Sequence, residues 1–158
     1  MANITHGEMA KVLISLVQAD MEAVSAYGQA LKEMEAAGLR DQLKRFQNAH
    51  GRHVDQLSAV IRALDAEPPD KSPEHKSRTE GGLTPIRPGC GAEEALRTMK
   101  SNEELTRRRY REAFEMELTP NIKELVGRYL EDERMHLRFI EQALANRMWE
   151  NESVDPPR

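Results

Sequence analysis

The stretch YLEDERMHLRFI, residues 129–140, decides how this chain folds and poses its main chemical question. Its apolar residues recur three or four apart, the period of one face of an α-helix. Glu133 and His136 fall on that same face, between Tyr129 and Ile140. A helix with a carboxylate and an imidazole in its core-facing stripe needs partners for both, because burying an unpaired charged group is costly.

Outward from this stretch the same period recurs in three further segments. The pattern predicts four long helices, at about 5–37, 39–64, 92–118 and 120–150. Thr5 and Glu8 form a capping-box pattern at the first start, and Gly38 is the expected stop of that helix. Thr119 and Pro120 suit the N-cap and first position of the last helix. Short connections make the first pair and the last pair antiparallel hairpins. Residues 65–91, DAEPPDKSPEHKSRTEGGLTPIRPGCG, are rich in Pro, Gly and charge and carry no helical period. Such a stretch reads as a long crossover between the two hairpins, with His75 solvated in it. The expected architecture is an all-α, antiparallel four-helix bundle forming one domain over 1–150. The tail at 151–158 is expected to be disordered.

Composition agrees and narrows the function classes. A chain of 158 residues is about one domain's worth, and 32% charged with 4% aromatic residues and few β-branched ones favours helices. The net charge of −4, with both signs interspersed, gives no field for a phosphate backbone, so no nucleic-acid partner is expected. The basic run RRRY at 107–110 reads as a solvated face, Arg107 and Arg108 lying four residues after Glu103 and Glu104. Cys90 is the single cysteine, so neither an intrachain disulfide nor a CxxC metal knuckle can form. No run approaches the roughly 20 apolar residues of a membrane span. The N-terminal segment lacks a basic start and a small-residue cleavage site, so the cytoplasm is the expected compartment.

Each predicted helix carries a polar breach in its apolar stripe. Asp20 interrupts the first between Leu16 and Ala23; His50 interrupts the second between Phe46 and Leu57; Glu103 interrupts the third between Met99 and Thr106; Glu133 and His136 interrupt the fourth. All lie near mid-length, and in an antiparallel bundle mid-length positions meet in one layer. A divalent cation would give every buried carboxylate a positive partner. Imidazole nitrogen with carboxylate oxygen suits iron, manganese or zinc better than magnesium or calcium. Singly, each residue has a plainer reading: Glu133 on a solvated face, His50 as a satisfied core histidine, Tyr27 and Tyr110 as packing residues. A shift of helix phase would put Glu22 in place of Asp20 or Glu104 in place of Glu103.

The chain also reads as a duplicated unit. Asp20 precedes Tyr27 by seven residues, as Glu103 precedes Tyr110, while Gln47 precedes His50 by three, as Glu133 precedes His136. The separations between halves are then 83 and 86 positions.

At these residues the chain resembles the ferritin-like superfamily, the group of bacterioferritin and rubrerythrin, without a rubredoxin-like segment. Members carry Glu on the first and third helices, E-x-x-H on the second and fourth, and often a Tyr seven residues after the Glu. EDERMH supplies Glu133 and His136; NEELTRRRY supplies Glu103 and Tyr110; ADMEAVSAY puts Asp20, and FQNAH puts Gln47, where the family has Glu. The second half is also similar to a group of small bacterial four-helix proteins allied to that superfamily.

The resemblance implies metal ligands at Asp20, Gln47, His50, Glu103, Glu133 and His136, with Tyr27 and Tyr110 as their catalytic companions. His53, one turn after His50, is placed either to substitute as a ligand or to hydrogen-bond one. Two iron ions are implied, with manganese or zinc as other occupants, and the first-half subsite is expected to bind more weakly. The implied activity is a di-iron oxidoreductase of ferroxidase or peroxide-scavenging type in a homo-oligomer, with metal ions and dioxygen or peroxide as partners. The second reading is a non-catalytic four-helix stress or interaction protein with a degenerate or mononuclear metal site.

Overall fold

The computed structural model describes residues 4–70 and 82–151. Four long helices dominate: α1 His6–Leu31, α2 Ala37–Ala63, α3 Ala92–Phe114 and α4 Pro120–Ala145, followed by a single turn, α5 Met148–Asn151. There is no strand among the described residues, and none of the helices is long and apolar enough to cross a membrane. α1 pairs with α2 and α3 with α4; α1 also lies against α3, and α2 against α4. All four neighbouring pairs are antiparallel. The fold is the expected all-α four-helix bundle.

Several helix ends differ from the periodic reading, each for a local reason. α1 stops at Leu31, six residues before the expected end, and Gly38 falls inside the first turn of α2. The chain turns early because Met34 and Ala36 enter the core. The Arg40 guanidinium then donates to the carbonyls of Leu31 and Met34, satisfying groups a helix end leaves open. α3 likewise ends at Phe114, where the Lys123 ammonium donates to the Phe114 carbonyl. α4 ends at Ala145 because Arg147 takes a left-handed backbone, φ 48°. At the start of α1, Thr5 and Glu8 form the reciprocal capping box, 3.0 Å in each direction. Thr119 does occupy the N-cap of α4, with Pro120 following, but its side chain makes no capping hydrogen bond.

Part of the 65–91 connection is pinned to the bundle by side chains. Amides of Leu83, Thr84 and Ile86 donate to Glu22, Asn102 and Gln29, each at 2.8 Å. Leu83 and Ile86 are buried beneath this seam. His75 and the 152–158 part of the tail lie outside the described residues.

The apolar core forms two clusters. One holds Tyr27, Leu31, Leu39, Leu43, Leu96 and Ile140; the other holds Leu13, Leu16, Leu57, Ile61, Tyr110 and Val126. Each helix passes through both clusters, and between them lies the polar layer. Burying one such leucine fully contributes about 1.5–3 kcal/mol, so two apolar slabs hold the polar layer at a fixed depth.

Candidate metal centre

Asp20, His50, His53, Glu103, Glu133 and His136 are all buried, none more than 1% exposed. The nitrogen and oxygen atoms of His50, Glu103, Glu133 and His136 that could hold an ion lie within 4.8 Å of one another. A second such group, Asp20, His50 and His53, shares His50 with the first. His50 Nε2 lies 3.2 Å from Glu103 Oε2 and 3.6 Å from Glu133 Oε2. His136 Nδ1 faces the same two oxygens at 3.1 and 3.3 Å. On the other side of its ring, His50 Nδ1 meets Asp20 Oδ1 at 2.6 Å, and His53 Nδ1 meets that oxygen at 3.3 Å. The tyrosines cross between hairpins: Tyr27 donates to Glu103, and Tyr110 donates to Asp20.

Gln47 is the exception among the expected site residues. Its carboxamide nitrogen donates to the Val24 carbonyl of α1 at 3.0 Å, and the half-buried side chain lines a surface cleft with Asn48, Arg52 and Asp55. The rotation of α2 explains this. Phe46, His50, His53 and Leu57 are among the residues it buries, and Gln47 is about 100° off the line they form.

The two halves therefore match at one constant separation of 83 positions, not at 83 and 86. Asp20 corresponds to Glu103, Tyr27 to Tyr110, His50 to Glu133 and His53 to His136. The helix ends at the two hairpin turns obey it too: Leu31 and Phe114 close the first helix of each pair, Ala37 and Pro120 open the second, and Arg40 and Lys123 cap the turns, whereas the outer ends His6 and Ala92, and Ala63 and Ala145, do not. Aromatic supports are exchanged in the same way. Phe46 stacks on His136 with ring centres 4.1 Å apart, and its counterpart Tyr129 stacks on His53 at 3.9 Å.

One participant was not read from the sequence. Asp132 Oδ2 lies 2.9 Å from His53 Nε2 and bridges α4 to α2, with its side chain 38% exposed. Its only sequence signal is an acidic residue beside Glu133, at the flank of the stripe, where solvated acids are common.

Electrostatics follow from burial and these contacts. Burial pushes the Glu133 carboxyl up to about 7, and the charge of Glu103 adds to the rise. Burial also disfavours the charged forms of Glu103 and Asp20. For Glu103 the charge of His50 and hydrogen bonds from His136 and His50 outweigh it, and for Asp20 hydrogen bonds from His50 and His53 do, so both pKa values lie below the usual range. Burial opposes protonation of His53, but hydrogen bonds to Asp132 and Asp20 raise it to about 9. His50 is raised well above its ordinary value despite burial, by the charges of Glu133 and Glu103. Burial, reinforced by Glu103 and Asp20 respectively, pushes the Tyr27 and Tyr110 hydroxyls well up, so both stay protonated donors.

Among the described residues, the buried side-chain oxygens without a hydrogen-bond partner are Glu103 Oε1 and both oxygens of Glu133. Buried carboxylate oxygens are ordinarily satisfied, so three orphans beside two imidazoles fit a cation with mixed nitrogen and oxygen ligands.

Bundle and long connection together make a ferritin-like four-helix fold. Within it, the chain belongs to the family described as domain of unknown function (DUF2383), whose sequence pattern matches residues 8–117. The structure of Desulfovibrio desulfuricans bacterioferritin, which captures that protein's diiron site in different catalytic states, is similar with a TM-score of 0.75 and 17% identity, over 89% of this chain and 80% of that one. Rhodobacter capsulatus bacterioferritin, solved with a metal-free dinuclear site and a haem iron, gives 0.71 and 20% over 92% and 90%. No curated protein matches. At these identities the likeness establishes the fold.

Proposed function

We propose that this chain binds iron in its buried polar layer and works as an oxidoreductase of ferroxidase or peroxide-scavenging type. The supporting observation is the buried pair Glu103 and Glu133, with three unpartnered oxygens, one of which, Glu133 Oε2, faces the nitrogens of His50 and His136. Glu103, Glu133, His136 and His50 would hold the metal, which when bound supplies one-electron redox chemistry toward dioxygen or peroxide.

The chain's own residues set the conditions for that chemistry. The two apolar clusters exclude water from either end of the layer. Tyr27 orients Glu103 through its hydroxyl, and Tyr110 orients Asp20. Phe46 fixes the plane of the His136 ring. Such supports keep ligand atoms in place whether or not the ion is bound.

A second reading, a non-catalytic bundle with a degenerate site, is favoured by Gln47, which is turned onto the α1 backbone and leaves its half with one carboxylate fewer than the superfamily pattern. Elemental analysis of the purified protein, followed by oxygen-consumption measurements on anaerobically Fe(II)-loaded protein, separates the two. Bound iron with oxygen uptake is the expected result. Bound iron with no reaction toward oxygen or peroxide would leave only the second reading, and no metal would end the first outright.

A further inference from the structure

Given the reading that the layer binds a metal, we infer that it holds one ion per chain, on Glu103, Glu133, His136 and Nε2 of His50, and that Asp20 and His53 are positioning residues for His50, not ligands of a second ion. Three sets of contacts carry this.

The oxygens of Asp20 are already engaged. Oδ1 accepts from His50 Nδ1 at 2.6 Å and faces His53 Nδ1 at 3.3 Å, while Oδ2 accepts from the Tyr110 hydroxyl. Neither oxygen is among the unpartnered atoms, whereas three of the four oxygens of Glu103 and Glu133 are. The polar demand of the buried layer is thus met in the first half and unmet in the second.

His53 is engaged at both ring nitrogens and faces no unpartnered oxygen. Nδ1 lies toward Asp20 and Nε2 toward Asp132 at 2.9 Å. His50 Nε2 and His136 Nδ1, by contrast, both face the unpartnered Glu133 Oε2. His136 differs because the position matching Asp132 is Ala49, which offers no acceptor.

His50 is aimed by the same network. With Nδ1 engaged by Asp20, Nε2 is the nitrogen left for a cation, and it points at Glu103 and Glu133. Its distances of 3.2 and 3.6 Å to their oxygens bring three ligand atoms together around one position. The constant 83-position match adds that the first half carries His50 where the second has the carboxylate of Glu133.

The test is the metal-to-chain ratio after anaerobic titration with Fe(II), repeated with Mn(II), on wild type, Asp20→Asn and His53→Gln, with circular dichroism confirming the fold. The expected ratio is one in all three. Asn keeps an acceptor for His50 Nδ1–H, so Asp20→Asn should bind about 10-fold more weakly without losing the ion, as expected for loss of a supporting contact. The oxidised iron form should give the paramagnetic resonance signal of an isolated ferric ion. A wild-type ratio of two, falling to one in Asp20→Asn, would overturn the inference while leaving the proposed function standing. Complete loss of the ion from a folded Asp20→Asn would also overturn the positioning role. A wild type that binds neither metal would remove both.

Discussion

The two hairpins place side chains at equivalent positions of a repeated helix pair, yet the two halves of the buried layer behave as different chemistry. In the first half Asp20, His50 and His53 complete one another's hydrogen bonds, with Asp132 reaching in from the partner hairpin. In the second half Glu103, Glu133 and His136 crowd oxygens against ring nitrogens and leave three oxygens unpartnered. The residues of the layer match at a separation of 83 positions, so the contrast comes from three exchanges: Asp20 against Glu103, His50 against Glu133, Ala49 against Asp132. A repeated scaffold can keep its packing while one half becomes a support for the other.

The largest expected effect comes from removing one member of each half. Glu133→Ala should lower bound metal to less than about a tenth of wild type, because it deletes a proposed ligand outright, whereas His53→Ala should keep most of it at roughly 10-fold weaker affinity. Metal analysis after equilibrium dialysis reads both. Equal losses from the two variants would erase the distinction between halves.

Next in size is the response to pH without metal. Burial holds Glu133 at about 7 in the folded chain, against an ordinary 4.5, and hydrogen bonds hold His53 at about 9. Between about pH 5 and 8 the folded, metal-free chain therefore binds more protons than the unfolded chain, and its stability must fall as pH rises through about 7. Asp20 and Glu103, whose values are lowered, act only at more acid pH, where they lose stability as pH falls. A bound metal replaces the proton, so the gap in Tm between loaded and metal-free protein should widen over the same interval. A metal-free Tm that stays level or climbs from pH 5.5 to 7.5 would contradict this.

The tyrosines offer a finer comparison. Tyr27→Phe and Tyr110→Phe each delete a buried donor to a carboxylate, a change of roughly 1–3 kcal/mol. Loading with metal should recover most of the loss for Tyr27→Phe, since Glu103 gains the ion as its partner, and little for Tyr110→Phe, since Asp20 does not. Denaturant unfolding of both variants with and without metal checks the difference. Smallest of all, Gln47→Ala should leave metal content unchanged and cost about 1 kcal/mol, the worth of its hydrogen bond to the Val24 carbonyl.

Much of this arrangement was legible in the chain itself. The apolar period gave four helices, and the polar residues at matching depth gave a layer containing Asp20, His50, Glu103, Glu133 and His136, all of which the fold brings together. Helix ends were harder, because the early stop at Leu31 depends on Arg40 reaching back from the next helix. Gln47 was misplaced for a similar reason. The pairs 47 with 50 and 50 with 53 have the same three-residue spacing, and a 3.6-residue period alone does not choose between them.

Sequence alone determined the number of helices, their pairing into hairpins and the chemical kinds of residue at mid-depth, because helical period and burial of apolar stripes are local properties of the chain. Tertiary structure decided which nitrogen of His50 faces Glu103, that His53 is held between Asp20 and Asp132, and that Gln47 is turned away. Those outcomes depend on how far α2 is rotated against α1 and α4, a quantity set by packing across helices that no single stretch of sequence contains.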